Sequence, residues 1–189
     1  MRRRALLASL TAVTAFSLTG GSMSDAQAAQ PDPANTLYMD LKGGRVVIML
    51  LPDIAPKMVA RVKELTRKGF YDGTPFHRVI EGFMAQGGDP TGTGTGGSDL
   101  GPVPAEFTTE RKFLRGTVGA ARTSDPNSAN SQFFIMFAPY PSLDGQYTIF
   151  GQVVSGMQYV DEIKRGTGPN GMVQDPDRII RMRVAADAK

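Results

Sequence analysis

The sequence predicts a mostly β fold: a closed antiparallel β-barrel of seven or eight short strands, accompanied by two helices. Three observations lead there. Apolar and polar residues alternate through several short runs, the signature of half-buried strands. The pattern turns helical in only two places. Strands and helices never alternate in the βαβ rhythm that builds a parallel sheet. The 189 residues suffice for one such domain plus an extension, with no internal repeat and no second domain.

The extension comes first. Arg2, Arg3 and Arg4 precede the apolar run "ALLASLTAVTAFSL" (5–18), and "AQAA" (26–29) then supplies small residues at −3 and −1 of a cut after Ala28. This is the pattern of a secretory signal peptide, residues 1–28, too short in its apolar part for a membrane anchor. A core helix would need caps and a partner face that this stretch lacks. The expected product is exported, periplasmic or released from the cell, with no membrane anchor once the signal is removed. Residues 1–28 carry three arginines and Asp25, so they account for +2 of the formal net charge of +3. The remaining domain is nearly neutral, and nothing in its charge favours nucleic acid or an anionic membrane as a partner. The chain has no cysteine, which excludes disulfides, thiol chemistry and a lipidated cysteine.

A linker, 29–35, leads into the domain, 36–186. In "TLYMDLKGGRVVIMLL" (36–51) Leu37, Met39 and Leu41 share one face, and Gly43-Gly44 marks a two-residue hairpin. "APKMVARVKELTRKGFYDG" (55–73) repeats Met58, Val62 and Leu65 at helical spacing and ends on glycine, which predicts an amphipathic helix over that span. Residues 74–117 mix short apolar runs with Gly and Pro. Strands follow in "RGTVGAAR" (115–122), "SQFFIMFA" (131–138) and "YTIFGQVV" (147–154), and a second helix in "SGMQYVDEIKRG" (155–166). In "RIIRMRVA" (178–185), Ile180, Met182 and Val184 alternate with Arg181 and Arg183; pairing this strand with the first would close the barrel.

"GTGTGGSD" (92–99) contains Gly92-x-Gly94-x-x-Gly97, the spacing of a dinucleotide-binding loop. Such a loop needs a strand before it and a helix N-terminus after it. Pro90 precedes this one, and Pro102 and Pro104 occupy the span where the helix should start. No Gly-Lys-Ser/Thr follows, so a phosphate P-loop fails too. A nucleotide-dependent oxidoreductase is thereby disfavoured, and a flexible, close-approaching loop is the better reading.

The blocks on either side, "FHRVIEGFMAQGGD" (76–89) and "SANSQFFIMFAPYPSLDGQYTIFG" (128–151), resemble the cyclophilin family of peptidyl-prolyl cis/trans isomerases. The likeness runs through roughly residues 35–186. It implies an eight-stranded antiparallel barrel capped by two helices, a Gly-rich stretch beside the substrate groove, no cofactor, and proline-containing polypeptides as substrates. It also implies residue roles: Arg78 as the catalytic residue; Phe83, Met84, Phe134 and Leu143 as a proline pocket, with Tyr147 at its wall; Gln86 bonding the peptide and steadying Arg78; Thr123, flanked by Arg122 and Ser124, pairing its backbone with the substrate; and His77 in support. Each has a plainer reading. Arg78 could be a surface arginine, Phe83, Met84 and Phe134 barrel core, Gln86 a turn cap and His77 a structural histidine.

Arginine suits the chemistry. Rotating an X-Pro bond abolishes amide resonance against a barrier of roughly 18–20 kcal/mol. The prolyl nitrogen then regains a lone pair, and a donor aimed at it stabilises the twisted state more than the planar one. Arginine is protonated at any physiological pH. A proline-peptide binding module without catalysis would have no need of such a donor. Two positions depart from the family's eukaryotic form. Ser142 stands in place of a tryptophan that donates to cyclosporin, which implies weak cyclosporin binding; Tyr147 stands where that form has a histidine, as in bacterial members. A monomer is the default for a closed barrel of this size.

Overall fold

The computed structural model describes residues 32–188, so the signal segment and linker residues 29–31 lie outside the described part. Eight strands, all paired antiparallel, form one curled sheet: β1 (Thr36–Asp40), β2 (Arg45–Leu50), β3 (Arg78–Ile80), β4 (Met84–Gly87), β5 (Thr117–Ala120), β6 (Phe133–Met136), β7 (Ile149–Ser155) and β8 (Arg181–Val184). Helix α1 is Pro56–Arg67 and helix α2 is Met157–Asp161. The strand order is β3-β4-β6-β5-β7-β2-β1-β8.

The expected pairing of first strand with last is present, Leu37 opposite Val184 and Met39 opposite Met182. It does not close the barrel. The sheet is a half-barrel whose edges are β3 and β8, with only the isolated bridges Pro75↔Arg178 and Arg78↔Met172 across the gap. The chain that would have to complete the ladder, residues 164–180, carries Pro169, Pro176 and three glycines. Proline has no N–H for a ladder and glycine weakens one, so this stretch runs as loop.

The first hairpin turns one residue earlier than expected. Leu41 and Gly44 exchange hydrogen bonds of 2.9 and 3.1 Å, which leaves Lys42-Gly43 at the tip. Helix α1 buries Met58, Val62 and Leu65 as their spacing requires, but ends at Arg67 rather than near 73. Gly69 adopts φ 70°, a conformation costly for other residues, and Phe70 N–H returns to the Leu65 carbonyl at 3.0 Å to end the helix. Ala55, at the helix start, has no side chain to cap it. The Glu106 carboxylate does so from afar, accepting the Lys57 and Met58 N–H at 2.9 Å each. Helix α2 is five residues, not twelve: the Ile163 N–H turns back to the Val160 carbonyl at 3.2 Å, the tighter bond that ends it. At the last strand Met182 and Val184 point inward, but Ile180 is 62% exposed. Ile179 takes the buried place, since its N–H pairs back to the Thr74 carbonyl before β8 begins.

The main core lies between the concave sheet and α1. Val79 of β3, Ala85 of β4, Val118 of β5 and Phe133 and Ile135 of β6 all face it. Residues of the opposite parity on the same strands, Met84, Phe134 and Met136, form a second cluster with Phe113 and Ile149. That second face carries the site.

Candidate functional site

Strand register builds the site. Arg78 pairs with Gln86, Gln86 with Phe134, and Phe134 with Gly119, a single row across β3, β4, β6 and β5. Period two places all four on the face away from the main core. A Cβ on Gly119 would overlap the rings of Phe134 and Phe113, so the glycine is what lets those rings stack at 5.6 Å over the end of the row. Tyr147 sets its ring edge-on to Phe134 at 5.8 Å. Phe83, in the β3–β4 turn, is fixed by its carbonyl, which accepts the Phe137 N–H at 2.9 Å. Leu143 ends a short 3-10 turn, Pro141–Leu143.

Together these side chains enclose a cavity of about 120 Å³. Seven of the residues singled out from the sequence line it: Arg78, Phe83, Met84, Gln86, Phe134, Leu143 and Tyr147, joined by Ala121 and Arg122. Thr123 is not among them. It borders the adjoining cavity of about 410 Å³, its N–H donating to Ser128 Oγ at 2.9 Å and its carbonyl accepting from Arg122 Nη1 at 2.8 Å. Ser142 is exposed beside the rim.

Arg78 is held from two sides. Its Nη1 donates to Gln86 Oε1 at 3.1 Å and its Nε to the Asn170 carbonyl at 3.0 Å. Gln86 Nε2 donates in turn to Gln132 Oε1 at 2.9 Å, and Gln132 Nε2 to the carbonyls of Gly94 and Gly96 at 3.0 and 2.8 Å. A relay of amides thus joins the glycine loop to the arginine. The loop itself wraps one carboxylate. Asp89 accepts from the N–H and hydroxyl of Thr91 and from the N–H of Gly94 and Gly96, at 2.7–3.1 Å. Gly94 needs φ 86° to aim its N–H, and a Cβ on Gly96 would overlap the Asp89 carboxylate. The close approach expected of these glycines is therefore to Asp89, and the loop is tied down rather than loose. Burial pushes the Asp89 carboxyl up, but the Thr91 hydroxyl and the three backbone N–H groups outweigh it and hold the group below its ordinary value.

His77 lies on the other face from Arg78, buried beneath Gly94 and off the cavity. Burial lowers its pKa, with the Asp89 charge working against that, so the ring is neutral at pH 7 and supports the loop by packing. Among the described residues, no three His, Cys, Asp or Glu side chains gather closely enough to hold a metal ion.

Three contributors escaped the sequence reading. Asp89 and Gln132 stand inside the quoted blocks, and the polar side chain of Gln132 between Ser131 and the apolar run from Phe133 was a usable signal. Asn170 acts through its carbonyl, which no side-chain pattern could reveal. The whole forms a small cleft in which the apolar side chains of Phe83, Met84, Phe134 and Leu143 face the fixed cations Arg78 and Arg122. It can hold a compact apolar group and donate to an atom beside it.

Comparisons with known proteins bear on what that group is. The family model described as cyclophilin type peptidyl-prolyl cis-trans isomerase/CLD matches residues 36–184. A probable peptidyl-prolyl cis-trans isomerase of Brucella suis is 51% identical over 192 residues, covering 95% of this chain and 96% of the relative. The peptidyl-prolyl cis-trans isomerase cypE of Dictyostelium discoideum is 40% identical, covering 77% of this chain and 95% of its own. Among solved structures, a Cryptosporidium parvum cyclophilin type isomerase, crystallised in the presence of the dipeptide Ala-Pro, superposes with a TM-score of 0.72 at 31% identity, covering 79% of this chain and 98% of that one. The cyclophilin AquaCyp293 of Hirschia baltica gives 0.74 at 29% identity, covering 84% and 76%.

Proposed function

The chain belongs to the cyclophilin-type peptidyl-prolyl cis/trans isomerases and is an isomerase of X-Pro peptide bonds, and we propose that Arg78 drives the rotation and that the substrates are exported polypeptides. The proline ring enters the cleft between Phe83, Met84, Phe134 and Leu143, which removes it from water. Arg78 then donates to the prolyl nitrogen as it loses conjugation with the carbonyl. Gln86 fixes the guanidinium so that no reorganisation is needed when the bond twists. A charge-assisted hydrogen bond of about 1.5–3 kcal/mol gives roughly ten- to 150-fold. The dry pocket and the grip on the flanking peptide supply the rest. The carrying observation is the Arg78–Gln86 bond of 3.1 Å on the wall of a cleft that Phe83, Met84, Phe134 and Leu143 also line. No step requires a proton transfer, which agrees with a neutral His77 outside the cleft.

The test is the slow phase of an X-Pro reporter peptide with wild type, Arg78→Ala and Arg78→Lys. Alanine should lower kcat/KM by about ten- to 150-fold, with lysine between, and thermal unfolding should hardly move. Undiminished activity in folded Arg78→Ala would discard the donor role. The export proposal rests on residues 1–28, and uncatalysed isomerisation is slow enough to limit folding outside the cytoplasm. Expression in a bacterium should yield a periplasmic product beginning at Ala29. A product that keeps Arg2–Arg4 and stays in the cytoplasm would refute it.

A further inference from the structure

Every ionised side chain lining the small cavity and its larger neighbour is an arginine: Arg78 in the first, Arg122 in both. Arg122 is a half-buried residue on the shared wall, with its guanidinium over the Tyr147 ring at 4.3 Å. Its Nε and Nη2 donate to the Gln146 carbonyl at 3.3 and 3.0 Å, and Nη1 to the Thr123 carbonyl at 2.8 Å. These neutral partners fix the group without neutralising it, and among the described residues no carboxylate pairs with it. Asp125, the nearest acid along the chain, accepts the Asn127 N–H instead. A guanidinium has five N–H groups, so one remains on each of Nη1 and Nη2, a pair suited to the two oxygens of a carboxylate. The other polar side chains of the larger cavity are neutral hydroxyls and amides: Thr95, Ser98, Thr123, Ser128, Asn130 and Gln132.

We propose that Arg122 is a specificity residue that makes this isomerase favour substrates with an acidic residue near the X-Pro bond, whose side chain enters the larger cavity while proline fills the smaller. The inference rests on the isomerase reading above. The carboxylate is present in the ground state and in the twisted state alike, so the preference appears in KM rather than in kcat. A lysine at the same place meets a fixed like charge and is disfavoured.

The experiment scans reporter peptides carrying Glu, Gln or Lys at each position within two residues of the X-Pro dipeptide, with wild type, Arg122→Gln and Arg122→Lys. At one position Glu should exceed Gln by about three- to tenfold in kcat/KM, and Lys should fall below Gln. The ratio should shrink towards one in Arg122→Gln, survive in part in Arg122→Lys, and fade in wild type as salt is raised to about 1 M. The salt series needs no variant and therefore decides the matter even if Arg122→Gln does not fold. Equal rates for Glu and Gln at every position, or a preference that outlives Arg122→Gln, would overturn the proposal while the rate on the Gln peptides leaves the isomerase reading standing. Failure to accelerate any peptide would remove both.

Discussion

Phe133 and Phe134 are adjacent on one strand, both buried, and belong to different enterprises. Phe133 faces the main core, edge-on to Tyr71 and Phe76 at 5.7 and 6.3 Å. Phe134 faces the cleft, stacked on Phe113 and backed by the amide relay. The two faces of β3, β4, β6 and β5 repeat that division along their length: Val79 against Arg78, Ala85 against Gln86, Ile135 against Phe134. One face looks into the main core and is apolar throughout. The other opens on the cleft and interleaves buried apolar residues with fixed donors. A one-residue offset therefore separates core from cleft on the same strands.

The strongest challenge to that division is the pair Phe133→Ala and Phe134→Ala. Phe133→Ala should cost about 3–5 kcal/mol of stability in denaturant unfolding. Phe134→Ala should cost less, because its pocket is half open, while lowering kcat/KM more than any stability loss explains. Comparable stability losses with comparable activity losses would erase the distinction between the faces.

A smaller effect is expected at Asp89, which belongs to neither face but orders the loop behind the relay. Asp89→Asn turns an acceptor into a donor against N–H groups and should cost about 1.5–3 kcal/mol. Activity should fall with it, because Gln132 loses the loop carbonyls that aim it. An Asp89→Asn enzyme of unchanged kcat/KM would cut the loop out of the mechanism.

Acid should separate the regions more gently. The folded state holds His77 below its ordinary value, near 6.5, so below about pH 6.5 the unfolded chain takes up a proton that the folded chain refuses, and stability declines. Asp89, depressed as well, contributes stability that is full above about pH 4 and is lost as pH falls through its folded value. The unfolding midpoint should thus fall in two stages. Meanwhile kcat should stay flat from about pH 6.5 to 8.5, since rotation about the bond transfers no proton in the proposed mechanism. A bell-shaped kcat profile would demand a titrating group that the mechanism lacks. The smallest effect concerns the rim: cyclosporin should inhibit weakly, and Ser142→Trp should tighten it by about tenfold, the worth of one hydrogen bond and some buried ring.

Much of this was readable beforehand, for identifiable reasons. Alternation in Leu37-Met39-Leu41 and helical spacing in Met58-Val62-Leu65 report burial directly, so strands and α1 were legible. The motif residues around Arg78 converge because register is local: β3 and β4 are one tight turn apart. Closure of the barrel was not legible, since it depends on whether residues 164–180, broken by Pro169 and Pro176, run as one continuous strand between β3 and β8. Ile180 misled for a related reason: the bridge at Ile179 shifts the inward position by one. The place of Arg122 could not be seen either, because it arises where two cavities share a wall.

The grip on Arg78 also has a direction in time. Its Nε is held by the carbonyl of Asn170, and the first strand of the sheet is flanked by the last. A ribosome delivers Arg78 some ninety residues before Asn170. The growing chain thus carries its arginine unanchored until almost the whole domain has emerged, and β1 waits for β8 in the same way. A nascent or truncated fragment ending before residue 170 can hold every motif residue of the cleft and still be a poor catalyst. If Arg78 drives the rotation, competence arrives with residues 170–184, and this isomerase begins work on other chains, or on its own thirteen prolines, only once the last stretch of its domain has been made.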